Sequence, residues 1–293
     1  MKALVTGGCG FVGYNLISRL LEDGHRVTSL DNYSTGKKEN EIVTKKGVQY
    51  FDVDLSVCEN YSFFVNSEPD VIFHIAALPR IQPSFEDPST TFNSNVVSTQ
   101  NICEWARKNG NIPVVYAGSS SKHGDLYANP YTFTKWLGEE VIKMYNDVYD
   151  LPTTICRFYN VYGHRQSTDG AYCNVLGIFE REYKNGQPLP ITGDGEQRRD
   201  FTNVEDIVDG LIRVSNRLSV SNIAGEEFEL GNGKNYSINE LADGFGKEYP
   251  REYLPERDGE VRESLCTDKK AMTELGWKPT RDIVEYIKEN YVE

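Results

Sequence analysis

The chain has 293 residues, enough for a well-buried core in one large domain or two unequal lobes. Lys and Arg number 31 against 44 Asp and Glu, a formal net charge of -13, so there is no global basic field for nucleic acid. No apolar run approaches the ~18 residues of a membrane span, the six scattered cysteines form no Cys-x-x-Cys pair, and the four histidines stand at no metal-ligand spacing, so the expectation is a cytoplasmic, free-thiol protein with no metal.

In chain order, Lys2–Thr6 reads as a strand, and because the chain enters it directly no signal peptide is expected. Phe11–Glu22 reads as a helix, 26–30 and 48–53 as strands, 57–66 as a polar helix and 70–75 as a strand. A long helix at 90–108, a strand at 112–117, a helix carrying Tyr131 and a strand at Thr153–Phe158 follow. This alternation predicts a parallel sheet with helices on both faces, a doubly wound, Rossmann-like α/β fold. After Gly163 the rhythm breaks. Val175–Lys184 is helical, Leu189–Thr192 is a short strand before the turn Gly193-Asp194-Gly195, 204–217 is a helix and Glu227–Leu230 a strand. Helices at 269–275 and 281–290 close the chain. The expected division is a first domain over 1–165, to which part of 200–232 returns, and a smaller interleaved α/β lobe over 166–293.

Between the first strand and helix stands Thr6-Gly7-Gly8-Cys9-Gly10-Phe11-Val12-Gly13. Gly7, Gly10 and Gly13 permit a tight turn and close backbone approach, and the following helix N-terminus favours a pyrophosphate. The next strand runs out at Asp31, where a carboxylate can accept from an adenosine ribose diol and would repel a 2′-phosphate. That favours NAD over NADP, although Lys37 and Lys38 nearby blunt the discrimination. Asp54, after the third strand, is a candidate for the adenine edge. The plain alternative is a glycine-rich turn that only packs helix on strand.

Tyr131 and Lys135 lie four residues apart after Asn129-Pro130, a helix-start signal, so a helix stacks them on one face. A fixed ammonium beside a phenol that ordinarily titrates near pH 10 favours the phenolate, which makes the pair a candidate general base. With 18 Tyr in the chain, such a spacing also arises by accident. Tyr33 and Lys37 repeat it in a Ser/Thr/Gly turn where no helix aligns the side chains. A base and a hydride-acceptor site in one chain point to alcohol oxidation.

Taken together these elements resemble the extended short-chain dehydrogenase/reductase family, specifically its nucleotide-sugar epimerases and dehydratases. Further markers are Leu30-Asp31-Asn32, His74-Ile75-Ala76-Ala77, Gly118-Ser119-Ser120-Ser121, Arg157-Phe158-Tyr159-Asn160-Val161-Tyr162-Gly163, the run from Gly193 to Phe201, and Leu275-Gly276-Trp277-Lys278-Pro279. The resemblance implies a catalytic set of Ser119, Tyr131 and Lys135. It implies NAD contacts from Gly7, Gly10, Phe11, Val12, Gly13, Asp31, Asn32, Asp54, Leu55, Ala76, Ala77 and Asn95, besides Tyr131 and Lys135. For the substrate it implies Ser119, Ser120, Asn160, Arg199, Arg257 and Ser264. By themselves the three serines are ordinary turn residues, and Arg199 and Arg257 adjoin Asp200 and Asp258 as surface ion pairs do.

Within that resemblance, 4,6-dehydratases carry Thr-Asp-Glu where this chain has Ser119-Ser120-Ser121, so 4-epimerisation of a UDP-hexose fits better than loss of water. The small Ser264 stands where a large aromatic suits plain hexoses, which implies UDP-N-acetylglucosamine and UDP-N-acetylgalactosamine, with UDP-glucose and UDP-galactose also possible. The family also implies a homodimer formed by the two long helices of each copy. Two departures stand out: only Asp125-Leu126-Tyr127-Ala128-Asn129 separates Gly124 from Pro130, a shorter connection than usual, and His123 replaces a customary Tyr, as a rim residue or a proton relay. A 4,6-dehydratase, a decarboxylase, a reductase, or an NAD-binding scaffold without catalysis are the alternatives.

Overall fold

The computed structural model describes residues 1–43, 47–58, 60–62, 68–220, 223–259 and 261–291. Its elements begin with β1 (Lys2–Thr6), α1 (Phe11–Glu22), β2 (Arg26–Asp31), β3 (Val48–Asp52), β4 (Val71–His74), α2 (Ile81–Glu86) and α3 (Pro88–Phe92). A π-helical turn (Asn93–Val97) leads without a break into α4 (Ser98–Lys108), then β5 (Val114–Ser119), α5 (Pro130–Tyr149), β6 (Thr153–Phe158) and β7 (Val161–Tyr162). Next come α6 (Val175–Lys184), β8 (Leu189–Thr192), β9 (Arg198–Asp200), β10 (Thr202–Asn203), α7 (Val204–Val220) and β11 (Glu227–Leu230). The chain ends with β12 (Asn235–Ser237), α8 (Ile238–Gly244), β13 (Arg251–Leu254), α9 (Lys270–Leu275) and α10 (Ile283–Tyr291). Two compact units result, one of Met1–Arg157 with Val208–Phe228, the other of Phe158–Ile207 with Glu229–Glu293.

The first unit is built on a seven-stranded sheet in the order β3-β2-β1-β4-β5-β6-β11. Its parallel registers pair Val5 with Ser29 and with Phe73, and Phe73 with Val115. Alternation along each strand turns Leu4, Ile72 and Val114 to one face, where Ile102, Cys103, Trp105 and Ala106 of α4 and Ile142 and Tyr145 of α5 bury them. At roughly 1.5–3 kcal/mol for each large apolar side chain, this burial rather than helix propensity holds the layer together. Strand order reverses between β1 and β4, which leaves a crevice beyond their C-terminal ends, the usual ligand position in such sheets.

The second unit packs Tyr162, Leu176, Phe179, Leu189, Ile191, Phe201, Ile238, Leu241, Phe245, Ile283 and Ile287 into its own core. Here β8 runs parallel to β13 and β9 antiparallel to β12, with Arg199 opposite Tyr236. A capping box starts α8: Ser237 accepts from Glu240 N, and the Glu240 side chain accepts from Ser237 N.

The sequence reading passed over α2, α8 and the short strands β7, β9, β10, β12 and β13, most of them too brief to show a period. The helix expected over 57–66 falls largely outside the described residues, and residues 57, 58 and 60–62 are turn or irregular backbone rather than helix. Among the described residues no helix is long and apolar enough to cross a membrane, and no cluster of His, Cys, Asp and Glu is placed to hold a metal.

Candidate active site

The glycine loop forms where β1 ends. Gly7 adopts φ +69, and Gly10 N donates to Gly7 O at 3.1 Å. A Cβ on Gly7 would lie 2.8 Å from Ala76 Cα, and one on Gly13 would lie 2.1 Å from Gly7 O, so neither place admits a side chain. Gly10 caps α1 with extended backbone and no capping side chain. The first-turn N–H groups of Phe11, Val12 and Gly13 therefore form a cradle fit for a pyrophosphate.

Asp31 closes β2. Its Oδ2 accepts from Cys9 N and its Oδ1 from Tyr33 N, both at 2.8 Å. Burial pushes its carboxyl up, against the pull of those two N–H groups, and each oxygen retains a lone pair for a ribose diol. Asn32 Oδ1 accepts from Ser34 N at 3.1 Å. Asp54 accepts from Ser56 Oγ at 2.7 Å and Ser56 N at 2.9 Å, which hold its carboxyl below the usual range. Leu55 is buried beside it. Ala76 N donates to Thr6 Oγ1 at 3.2 Å, tying the exit of β4, with Ala77, to the exit of β1.

Asn95 is tied to the chain on both sides. It is buried in the π-helical turn, where Oδ1 accepts from Leu78 N at 2.8 Å and Nδ2 donates to Leu78 O at 3.3 Å and Thr134 Oγ1 at 3.0 Å. It fixes the segment after β4 against α5.

The hydroxyl set assembles where β5 meets the start of α5. Asn129 caps α5, its side chain accepting from Thr132 N at 2.8 Å, and Pro130 follows in the first turn. Tyr131 N donates to Ser84 Oγ of α2 at 3.0 Å. At the end of β5, Ser119 Oγ shares a hydrogen bond with Tyr131 OH at 3.2 Å and donates to Ser121 Oγ at 3.0 Å. Ser120 opens the 3₁₀ turn Ser120–His123, and His123 is exposed at its end.

Lys135 lies one turn after Tyr131 on α5. Among the described residues it makes no hydrogen bond to Tyr131. Its buried Nζ donates instead to Ala117 O at 2.6 Å and Tyr116 OH at 3.1 Å, and sits 4.4 Å from the Tyr116 ring centroid. Two of its three N–H groups are thus used, leaving one for a nucleotide hydroxyl. Burial lowers Lys135 to about 8, with Glu139 acting against the fall. Burial also governs Tyr131 and raises it; the Ser119 hydrogen bond and the Arg80 charge lower it, and Glu139 raises it further. The Lys135 ammonium is turned to the end of β5.

In the second unit, Asn160 Nδ2 donates to Asp200 O at 2.9 Å and Ser264 Oγ at 3.3 Å. Ser264 is held by Asp200 N to Ser264 O at 3.0 Å and Ser264 N to Arg198 O at 3.1 Å. Arg199, on β9, donates from Nη1 to Arg198 O at 3.0 Å and Arg262 O at 3.3 Å. The structure thus gathers Asn160, Ser264 and the strand of Arg199. Arg257 is exposed in the loop after β13, outside that hydrogen-bonded group.

The sequence reading missed Arg80, Ser84, Tyr116, Glu139 and Arg157. Arg157 opened one of the markers, and Glu139 lies four residues beyond Lys135 on the same helix face.

The model of the NAD dependent epimerase/dehydratase family matches residues 3–231. A UDP-glucose 4-epimerase of Mycolicibacterium smegmatis is 33% identical, the alignment covering 98% of this chain and 96% of that protein. Two solved structures superpose closely. The UDP-glucuronic acid 4-epimerase of Bacillus cereus, with UDP-glucuronic acid and NAD, has a TM-score of 0.89 at 27% identity, covering 99% of this chain and 98% of that one. The UDP-N-acetylglucosamine 4-epimerase of Methanobrevibacter ruminantium, in complex with UDP-N-acetylmuramic acid, has a TM-score of 0.87 at 28% identity, covering 99% and 96%. The chain belongs to the NAD-dependent epimerase/dehydratase family, and NAD is its cofactor.

Proposed function

We propose that this chain interconverts a UDP-hexose and its C4 epimer through a 4-keto sugar, with UDP-N-acetylglucosamine and UDP-N-acetylgalactosamine as the favoured pair and UDP-glucose and UDP-galactose as a second. The observation that carries the reading is the 3.2 Å contact between Ser119 Oγ and Tyr131 OH, on the same unit as the glycine loop. The three proteins named above differ in the sugar and share C4 epimerisation, which supports the reaction more than any one sugar.

NAD, held by the cradle of Gly7, Gly10 and Gly13 and by Asp31, supplies when bound an acceptor for the C4 hydride and a donor that returns it. Tyr131 takes the proton of the sugar 4-hydroxyl and later gives it back. Ser119 aligns that hydroxyl through its own hydrogen bond to Tyr131. Lys135 offers its remaining N–H to the nucleotide side of the site. In the second unit, Asn160, Arg199 and Arg257 hold the nucleoside diphosphate, with guanidinium groups suited to it. Ser264 stands beside Asn160, and its small side chain supports the acetylated pair. Ser120 and Ser121 supply no acid for water elimination, which disfavours a dehydratase. Two copies pair through α4 and α5, consistent with Met144, Val148 and Tyr149 left exposed on α5.

The test is NMR of the purified protein incubated with UDP-N-acetylglucosamine and, separately, with UDP-glucose, without added reductant. Appearance of the C4 epimer is expected. A decarboxylated or dehydrated product would move the chain to another reaction, and no change with either sugar would leave the scaffold reading.

A further inference from the structure

We propose that Glu139 is a positioning residue for Ser119, Tyr131 and Lys135: one buried carboxylate that fastens the strand end bearing Ser119 to the helix bearing the other two and sets the charge beneath them. This rests on the catalytic reading of those three residues.

The geometry is specific. Glu139 is fully buried, one turn beyond Lys135 and two beyond Tyr131 on α5. It accepts from Ser119 N at 3.3 Å, so it grips the backbone of the residue whose hydroxyl meets Tyr131. Gly118 makes this approach possible, since a Cβ there would lie 2.7 Å from Glu139 Oε1. From the far side Arg157, itself buried, donates from Nε to Oε1 at 3.1 Å and to Oε2 at 3.0 Å, and from Nη2 to Oε2 at 2.8 Å. Lys122 Nζ of the 3₁₀ turn lies 3.6 Å away. One step further out, Glu227 of β11 pairs with Arg157, Lys122 and Lys143.

A buried ion pair is a weak way to stabilise a fold, and apolar residues of equal volume often do as well. They cannot supply an acceptor for Ser119 N–H or a negative charge at this depth. The groups facing Tyr131 are Ser119 and Tyr116 of β5, Arg80 ahead of α2 and Glu139; those facing Lys135 are Tyr116 and Ala117 of β5, His74 of β4 and Glu139. Glu139 acts in the raising direction on both Tyr131 and Lys135. Removing its charge therefore moves both titrations to lower pH.

The experiment uses the full chain with NAD, labelled with ¹³Cζ-tyrosine, with the Tyr131 resonance identified by its loss in Tyr131→Phe. Glu139→Gln retains shape and an acceptor oxygen. Its Tyr131 midpoint is expected to fall by roughly half to one pH unit, with the Tyr131 limb of the kcat–pH profile displaced to lower pH by the same amount and KM for the UDP-sugar unchanged. A Tyr131 midpoint that stays in place while only thermal stability drops overturns the proposal and leaves Glu139 as packing. Because Arg157 loses a partner in that variant, Glu139→Gln combined with Arg157→Met is measured too. Recovered stability with Tyr131 still shifted supports the positioning role, and a return of both to wild-type values contradicts it. The titration needs no turnover, so it decides this point even if the wild type epimerises neither sugar.

Discussion

At the scale of single residues, His74 shows how burial fixes a protonation state. Thr6 Oγ1 accepts from Ile75 N and Ala76 N, so its proton goes to His74 Nδ1 at 2.8 Å, and His74 Nε2 donates to Thr99 Oγ1 at 3.0 Å. Burial, aided by the Lys135 charge, lowers His74 from 6.5 to about 3. The native state therefore stays neutral while the unfolded state takes a proton. Stability from this site is full above pH 6.5 and is lost as pH falls toward 3, with a slope of up to ~1.4 kcal/mol per pH unit. Urea unfolding of wild type and His74→Gln across that window should show the wild type losing ground as pH drops; parallel curves would contradict it. Ser264 governs a second residue-scale outcome. Ser264→Tyr should depress turnover of the N-acetylated sugar at least tenfold more than that of the plain hexose, and equal losses with both would remove the basis for preferring the acetylated pair. At this scale the tight, side-chain-free turn at Gly7 and Gly13 was legible, because backbone clearance dictates the residue type. The true partners of Lys135 were not, since they come from β5 and no local spacing announces them.

Among the elements, α5 carries the account. Its start is set by Asn129 and Pro130, and its end by Asp150 in the left-handed region at φ 52. Asn129→Ala removes the acceptor for Thr132 N and should cost about 1 kcal/mol, read as a lowered Tm, with kcat falling more than KM rises because Tyr131 sits in the turn that frays. An unchanged Tm would show that packing against α2 alone sets the helix start. The long periodic elements were readable from sequence: α1, α6, β1, β6, β8 and β11 lie where the pattern put them. The expected helix over 90–108 proved to be α3, a π-helical turn and α4 in continuous succession, a local widening that hydrophobic period does not reveal and that turns Asn95 inward. The five residues between Gly124 and Pro130 form a short connection in which Tyr127 is exposed and leans on Phe133, ring centroids 5.8 Å apart.

For the molecule as a whole, the doubly wound sheet followed from strand–helix alternation; part of 200–232 was expected to return to the first domain, and residues 208–228 lie with the first unit. The pairing proposed through α4 and α5 predicts twice the chain mass, 33.2 kDa, by light scattering, and a shift to the single-chain mass for Met144→Glu with Val148→Glu; a wild-type monomer would refute it. The central claim is that a hydride leaves C4 and returns to the same carbon. The most direct measurement is NMR of UDP-N-acetylglucosamine carrying deuterium at C4, incubated with the wild type and with Tyr131→Phe. The account predicts the C4 epimer with deuterium kept at C4 from the wild type, and no epimer from the variant. Deuterium lost to solvent, or full activity in Tyr131→Phe, would contradict it.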